Sequence, residues 1–325
     1  MSTLFITEQG SRVVCRQRTL LVQREGETVF IYPLDSLETL VLMGRVELST
    51  SAIGKLLHRG VSTVFLQRDG RFKGRLCGGL GKNILIREKQ FAARQNTQTC
   101  LHISRALVSA KIKNARAFIR RTAPGLVAVL DQRLQNAEIS LEKAGSLEVI
   151  RGIEGGFANL YFGRFAALLK NPLGFKKRQK NPPPDPVNIL LSLGYTLLFN
   201  QMWGFVETAG LDPYAGFLHQ SAYGHPALVS DLIEPFRHPL VDRLVVSCLN
   251  NEIITEKDFE KDENGFRFLP EGLRRFVGKY EELVFNKQKE GSRKVTAVLK
   301  MRETVWKLCH YLEGKSDAFT APFVR

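Results

Sequence analysis

The stretch IREKQFAARQNTQTCLHISRALVSAKIKNARAFIRR, residues 86–121, decides what kind of fold this chain adopts. Its apolar residues Phe91, Leu101, Ile103, Leu107, Ile112 and Phe118 recur at helical spacings, with bases on many of the positions between them. Everything before it reads differently. TLFIT, SRVVCRQ, TLLVQR, ETVFIYPL, TLVLMG and VSTVFLQRDGRFKGRL are β-branched and aromatic segments separated by Gly-Glu and Asp-Gly turn signals. One helical insert, SAIGKLLHRG, has Ser49 to Ser51 available as caps and Gly60 as its stop. Beyond the stretch, helices are expected at about 125–144, 146–169, 187–209, 226–250 and 294–313. NPPPDP at 181–186 forms a loop, and DENGFRFL a hairpin turning at Asn264-Gly265. The expected class is α+β, a small β-rich N-terminal domain over residues 1–86 followed by a larger all-α domain over 87–325.

Composition narrows the function. With 325 residues, 44% apolar and 24% charged, the chain has the make-up of ordinary globular domains. Its start lacks a basic region followed by an apolar one, and no window reaches the roughly 18 apolar residues of a membrane span, so a cytoplasmic location without membrane association is expected. Five cysteines without a CxxC pair argue against structural zinc and disulfides. The net charge of +15 is unevenly spread. Between Arg71 and Arg121 stand thirteen Lys or Arg against one acid, Glu88. A second, acid-free run holds Arg164, Lys170, Lys176, Lys177, Arg178 and Lys180, and a third begins at Lys287. A solvated face is the plainer reading of any one run. Three together favour a polyanion, whose condensed counterions Lys and Arg displace. An anionic membrane surface is the weaker alternative, because no long amphipathic basic helix with exposed aromatics accompanies the charge.

Against this background, GFLHQSAYGHPALVSDLIEPFRHP (residues 216–239) crowds three of the six histidines and two carboxylates together. Pro226 fits the first helical position, which makes ALVSDLI helical and puts Asp231 and Glu234 on one face, with His219 a turn and a loop upstream. Carboxylates with one imidazole suit a divalent ion such as Mg²⁺ or Mn²⁺. The plainer alternative is a core histidine and acids paired with Arg237 or Arg243. Glu154 adds a third acid in an apolar helical context, followed at once by two glycines. Each mid-helix glycine costs ~1 kcal/mol relative to alanine, so the pair needs a reason such as close approach of a backbone or a ligand. An ion pair with Arg151 or Arg164 is the alternative for Glu154.

RGIEGGFANLYF, PPPDPVNILLSLGYTLLFNQ and GLDPYAGFLHQSAYGHPALVSDLIEPFRHPLVDRLV resemble, in order, successive blocks of the CRISPR-associated integrase family, the larger of the two near-universal proteins of spacer acquisition. The TLxLxxxGxxVxV-like N-terminal strands and SAIGKLLHRGVSTVFLQRDG resemble that family's β domain. The resemblance implies a metal-dependent DNA endonuclease and integrase with its catalytic site in the α domain; the dimer contact is expected in the β domain, whose strand edges offer pairing surfaces. By motif, it makes Glu154, His219 and Glu234 metal ligands, and Asp231 the acid beside them, which orients a water or helps deprotonate the nucleophile. It implies Mg²⁺ or Mn²⁺ as cofactor. The implied partners are double-stranded DNA (fragment and repeat), a second copy of the chain and the small companion adaptation protein. Lys111, Arg116, Arg164 and Arg178 are the phosphate contacts expected first. His225 and His238 depart from the family pattern and are expected at DNA, while Tyr161 and Tyr195 are expected in core packing. Two other functions compete: a basic architectural DNA-binding protein without catalysis, and a nuclease that repairs branched DNA.

Overall fold

A computed structural model of the chain describes residues 2–78, 83–180, 182–220, 222–263, 265–290 and 293–324. Lys82 of the basic stretch, Asn181 of the proline-rich run and Asn264 of the expected turn lie outside them. The chain divides into two compact units, Met1–Leu80 with Lys257–Glu281, and Gly81–Glu256 with Glu282–Arg325.

The N-terminal segment holds β1 (Ser2–Ile6), β2 (Ser11–Arg16), β3 (Thr19–Arg24), β4 (Glu27–Pro33), β5 (Leu37–Met43), β6 (Val46–Leu48), α1 (Thr50–His58), β7 (Ser62–Leu66) and β8 (Phe72–Leu76). They form two four-stranded sheets, ordered β1-β5-β7-β8 and β4-β3-β2-β6. Alternation along β2 buries Val13 and Cys15 while Arg12 and Arg16 face out, the pattern of a strand with one covered face. Val13, Leu20 and Val22 of one sheet join Leu4, Leu40 and Leu42 of the other, with Leu56 of α1, in one core cluster. In the β3–β4 hairpin, Arg24 pairs with Glu27, which leaves Glu25-Gly26 as a two-residue loop. Both loop residues have positive φ, 52° and 88°, as a primed turn requires.

The second segment is helical: α2 (Ile84–Gln95), α3 (Thr97–Thr122), α4 (Pro124–Lys143), α5 (Leu147–Phe162), α6 (Pro186–Thr208), α7 (Ala227–Ile233) and α8 (Arg243–Asn250). The long periodic stretch is two helices, because Asn96 caps α3 by accepting from the Thr99 amide at 3.0 Å. Leu101, Ile103, Leu107, Ile112 and Phe118 are buried as the periodicity predicts, whereas Phe91 is 45% exposed. The expected helix over 226–250 breaks instead into α7, a 3₁₀ turn (Glu234–Phe236), a π-type turn (Arg237–Asp242) and α8. Pro235 and Pro239 lack the amide that a regular ladder needs there. α6, capped by Asp185, corrects the expectation that no apolar segment is long enough to cross a membrane: by length and composition it is. In the fold 67% of its apolar window is buried, as in a core helix.

The remaining chain carries β9 (Phe259–Asp262), β10 (Gly265–Phe268), α9 (Pro270–Phe285), β11 (Gln288–Glu290), β12 (Arg293–Val295) and α10 (Ala297–Leu312). Gly265 pairs with Asp262 and so belongs to β10. Helix α9 was not anticipated by the periodicity. It lays Tyr280 edge-on against Phe5 at 6.1 Å and Arg274 against Glu8. These contacts explain why Lys257–Glu281 belongs with the strands, a division that differs from the expected domains 1–86 and 87–325.

At Glu281, burial pushes the carboxyl up to about 7, against a smaller opposing effect from the Phe5 backbone. The folded state therefore favours the proton more than the unfolded chain does, and stability is lost as pH rises from the ordinary glutamate range through about 7. Glu281→Gln is expected to raise the melting temperature clearly at pH 8 and hardly at pH 5. Thermal scans at both pH values check this.

Candidate functional site

Asp231, on α7, is wholly buried. Its Oδ2 accepts from the amides of Phe217 at 2.6 Å and Leu218 at 2.9 Å, and its Oδ1 accepts from the His219 amide at 2.9 Å. The same Oδ1 meets His219 Nδ1 at 2.6 Å. A carboxylate so placed satisfies its own charge and fixes the imidazole, leaving Nε2 as the nitrogen offered to a ligand. The loop can wrap this tightly only because residue 216 is glycine. A Cβ there would lie 2.6 Å from the Ala227 carbonyl carbon and 2.8 Å from Asp231 Oδ2. Burial depresses the basicity of His219, but the hydrogen bond and charge of Asp231, with Glu234 beyond, outweigh it and hold the imidazole above its ordinary value.

Glu234 begins the 3₁₀ turn after α7 and is 2% exposed. Its Oε1 accepts from Arg237 Nε at 2.8 Å, and its Oε2 lies 2.6 Å from Lys111 Nζ. Burial alone would raise this carboxyl, yet Arg237 and Lys111 hold it far below the usual range. Glu154, on α5, reaches the same ammonium. Two acids from separate helices thus share one cation. Their partner is neither Arg151 nor Arg164 for Glu154, and for Glu234 it is Arg237 together with Lys111. Cβ atoms built at Gly152, Gly155 and Gly156 would have no neighbour within 4 Å, so close packing of another backbone is not the reason for the glycines. They leave that face of α5 bare.

Behind these groups, Asp242 accepts from Tyr161 Oη at 2.8 Å and from Tyr195 Oη, and meets His238 Nδ1 at 2.6 Å. His238 is 1% exposed, which corrects its expected place at DNA. Tyr161 packs in the core as expected, and both tyrosines also tie into this network. Burial and the Asp242 charge push both hydroxyls well above their ordinary range. Arg237 stacks 4.8 Å over the Tyr195 ring. His225 is half-buried, its ring 5.9 Å from that of His219.

The structure brings Glu154 and Glu234 together on Lys111, and His219 together with Asp231. Asp231 is less suited than expected to orient a water, since buried amides and the imidazole occupy its oxygens. Three of the four bases expected at phosphate already have partners. Lys111 is 4% exposed between the acids. Arg116 forms a two-pronged pair with Asp131, and Arg178 donates to Asn188, Ser192 and the Gln179 carbonyl. Arg164 is exposed. The role of Lys111 had a signal in the periodicity. It sits on the buried stripe of α3, one turn from Leu107 and two from Phe118, where a base needs a buried counter-charge.

Two carboxylates and an imidazole form a donor set that suits a hard divalent cation, and an ammonium already stands where two of them converge. Among the described residues no three such side chains are close enough to hold an ion as they stand. The fit therefore rests on the chemistry of the donors.

The profile of the family described as CRISPR associated protein Cas1 matches residues 4–282. The chain is 35% identical over 292 residues to the CRISPR-associated endonuclease Cas1 3 of Thermus thermophilus, a match that covers 87% of this chain and 86% of that protein. It shares its fold with a casposase bound to integration product, at a TM-score of 0.85 and 23% identity, covering 100% of this chain and 95% of that one. A chain of a Cas6-RT-Cas1–Cas2 complex also matches, at a TM-score of 0.85 and 25% identity over 100% of this chain and 36% of that one. A profile match of that extent, together with a relative so similar along nearly the whole length, means that the chain belongs to the Cas1 family of CRISPR-associated endonucleases.

Proposed function

We propose that the helical unit of this protein cuts and rejoins DNA, inserting short fragments into a CRISPR array, at a metal-dependent centre built on Glu154, His219 and Glu234. The observation that carries the reading is the convergence of Glu154 and Glu234 on a single cationic position. A bound Mg²⁺ or Mn²⁺ would supply Lewis-acid stabilisation of the charge that builds on phosphate oxygens during in-line displacement. Integration forms a bond from a fragment's 3′ oxygen to phosphorus and breaks the bond to the leaving 3′ oxygen, with the proton passing from the attacking hydroxyl to the leaving group or solvent. Hydrolysis runs at the same centre with water as nucleophile.

The chain's own residues set the geometry. Asp231 engages His219 through Nδ1 and leaves Nε2 for a ligand, and Arg237 holds one oxygen of Glu234 in place. Arg164 with Lys170, Lys176 and Lys177, all exposed, offers an acid-free track for the phosphate backbone. The half-buried His225 remains a candidate to join it. An architectural role without catalysis would make the same buried pairing a structural ion-pair network, and DNA binding without strand transfer would mark it. Repair of branched DNA would use the same site, and a preference for repeat-containing targets separates it from integration.

The proposed partners follow from the same reading. β4 is an edge strand with Val29, Phe30 and Ile31 exposed at 55%, 47% and 61%, and apolar edges invite pairing, so the homodimer contact is placed there. The matched complex contains Cas2, and the small companion protein proposed here is of that kind. With DNA and both proteins as partners, the activity belongs in the cytoplasm.

Glu154→Gln and His219→Ala are expected to reduce strand transfer into a supercoiled plasmid carrying a repeat by at least ~10³-fold, while salt-sensitive DNA binding persists. Full activity in both variants would disprove the site. Asp231→Asn should weaken Mn²⁺ affinity by about 10–100-fold, the usual effect of losing the group that orients a ligand, measurable by calorimetry. Ile31→Lys should shift the protein from dimer to monomer in sedimentation experiments.

A further inference from the structure

Lys111 stands between the two acids proposed as ion ligands. It projects from the buried stripe of α3, with Leu107, Ile112, Ala115 and Phe118 on its own helix and the Phe157 ring 6.0 Å from Nζ. Taking an ammonium out of water is unfavourable unless opposite charge meets it. Glu154 and Glu234 supply that charge, and Arg237 balances the second oxygen of Glu234. Lys111 and Arg237 directly balance Glu154 and Glu234, with His219 and Lys180 as further bases nearby. A divalent ion entering this set would leave it strongly positive, so something cationic must withdraw or something anionic must arrive.

We propose that Lys111 is an internal counter-ion that competes with the divalent ion for Glu154 and Glu234. In the ion-free protein it keeps the two carboxylates together. When the ion enters, the ammonium gives up at least one of them, which its flexible four-carbon stem permits. A DNA phosphate brings negative charge to the same place and relieves the competition, so ion binding is weak without DNA and tight with it. Lys111 is thereby a positioning residue that couples the two ligands. This inference rests on Glu154 and Glu234 being ion ligands.

The test is Mn²⁺ affinity of the full-length protein, read by electron paramagnetic resonance of the free ion, with and without a short duplex. Lys111→Met should bind Mn²⁺ at least tenfold more tightly than the wild type without DNA, and the duplex should then add little. Its ion-free melting temperature should fall below that of the wild type, and saturating Mn²⁺ should narrow the gap. Equal or weaker Mn²⁺ binding by Lys111→Met, with Glu154→Gln and Glu234→Gln binding none, overturns the counter-ion role and leaves the ligand assignment standing. Wild-type-like Mn²⁺ binding by Glu154→Gln and Glu234→Gln overturns the ligand assignment, and the inference with it. If Lys111→Met fails to fold, a Mn²⁺-soaked crystal of the wild type decides. Loss of the Nζ contact with Glu154 or Glu234 supports the proposal, and retention of both beside a bound ion overturns it.

Discussion

The helical unit is organised around the burial of one negative charge. Asp231 has no exposure, so every acceptor position it offers must be filled from within the protein. Three successive amides and an imidazole do this, and in doing so they settle the path of the loop before α7. Removing the carboxylate would strand three N–H groups, and the two that are buried are each worth ~1–3 kcal/mol when unpaired. The orientation of His219 is thus a by-product of a folding requirement. The site is preorganised at its histidine because the loop cannot fold otherwise.

A second layer of charge surrounds the first. Arg237 links Glu234 to the Tyr195 ring, and Asp242 links Tyr195 to Tyr161 and His238. The π-type turn at Arg237–Asp242 makes this linkage possible, since its wide geometry carries Arg237, His238 and Asp242 on one short segment. Prolines at 235 and 239 set the turn. The irregular backbone and the polar network are therefore one feature, seen from the chain and from the side chains.

Much of the fold was legible because it depends on local pattern. Alternation along β2 marks its covered face, and the stripe through Leu101, Leu107 and Phe118 marks the inward side of α3. What was illegible depends on distant partners. Nothing near Tyr280 or Arg274 announces that they meet Phe5 and Glu8, so the return of Lys257–Glu281 to the strand unit is invisible locally. At the site, the acids stood out as charges among apolar neighbours, whereas the close approach at Gly216 shows only in the folded chain. Lys111 was expected at phosphate because charge was counted along the chain and its place on the helical wheel was not. The same holds for Arg116, whose partner Asp131 becomes a neighbour only once α3 and α4 pack, and for Arg178, which meets Asn188 only once the segment before α6 folds back on that helix.

The bare face of α5 has a further consequence. A helix with side chains keeps an approaching body some distance from its axis, whereas at Gly152, Gly155 and Gly156 only backbone stands between the axis and the outside. A rigid body can therefore come within backbone distance of α5 on that face, which lies on the far side of the helix from Glu154. Three glycines weaken the helix by roughly 3 kcal/mol relative to alanines. In exchange, how near a partner can come to α5 on that face is set by the main chain itself, a boundary that side-chain motion cannot blur.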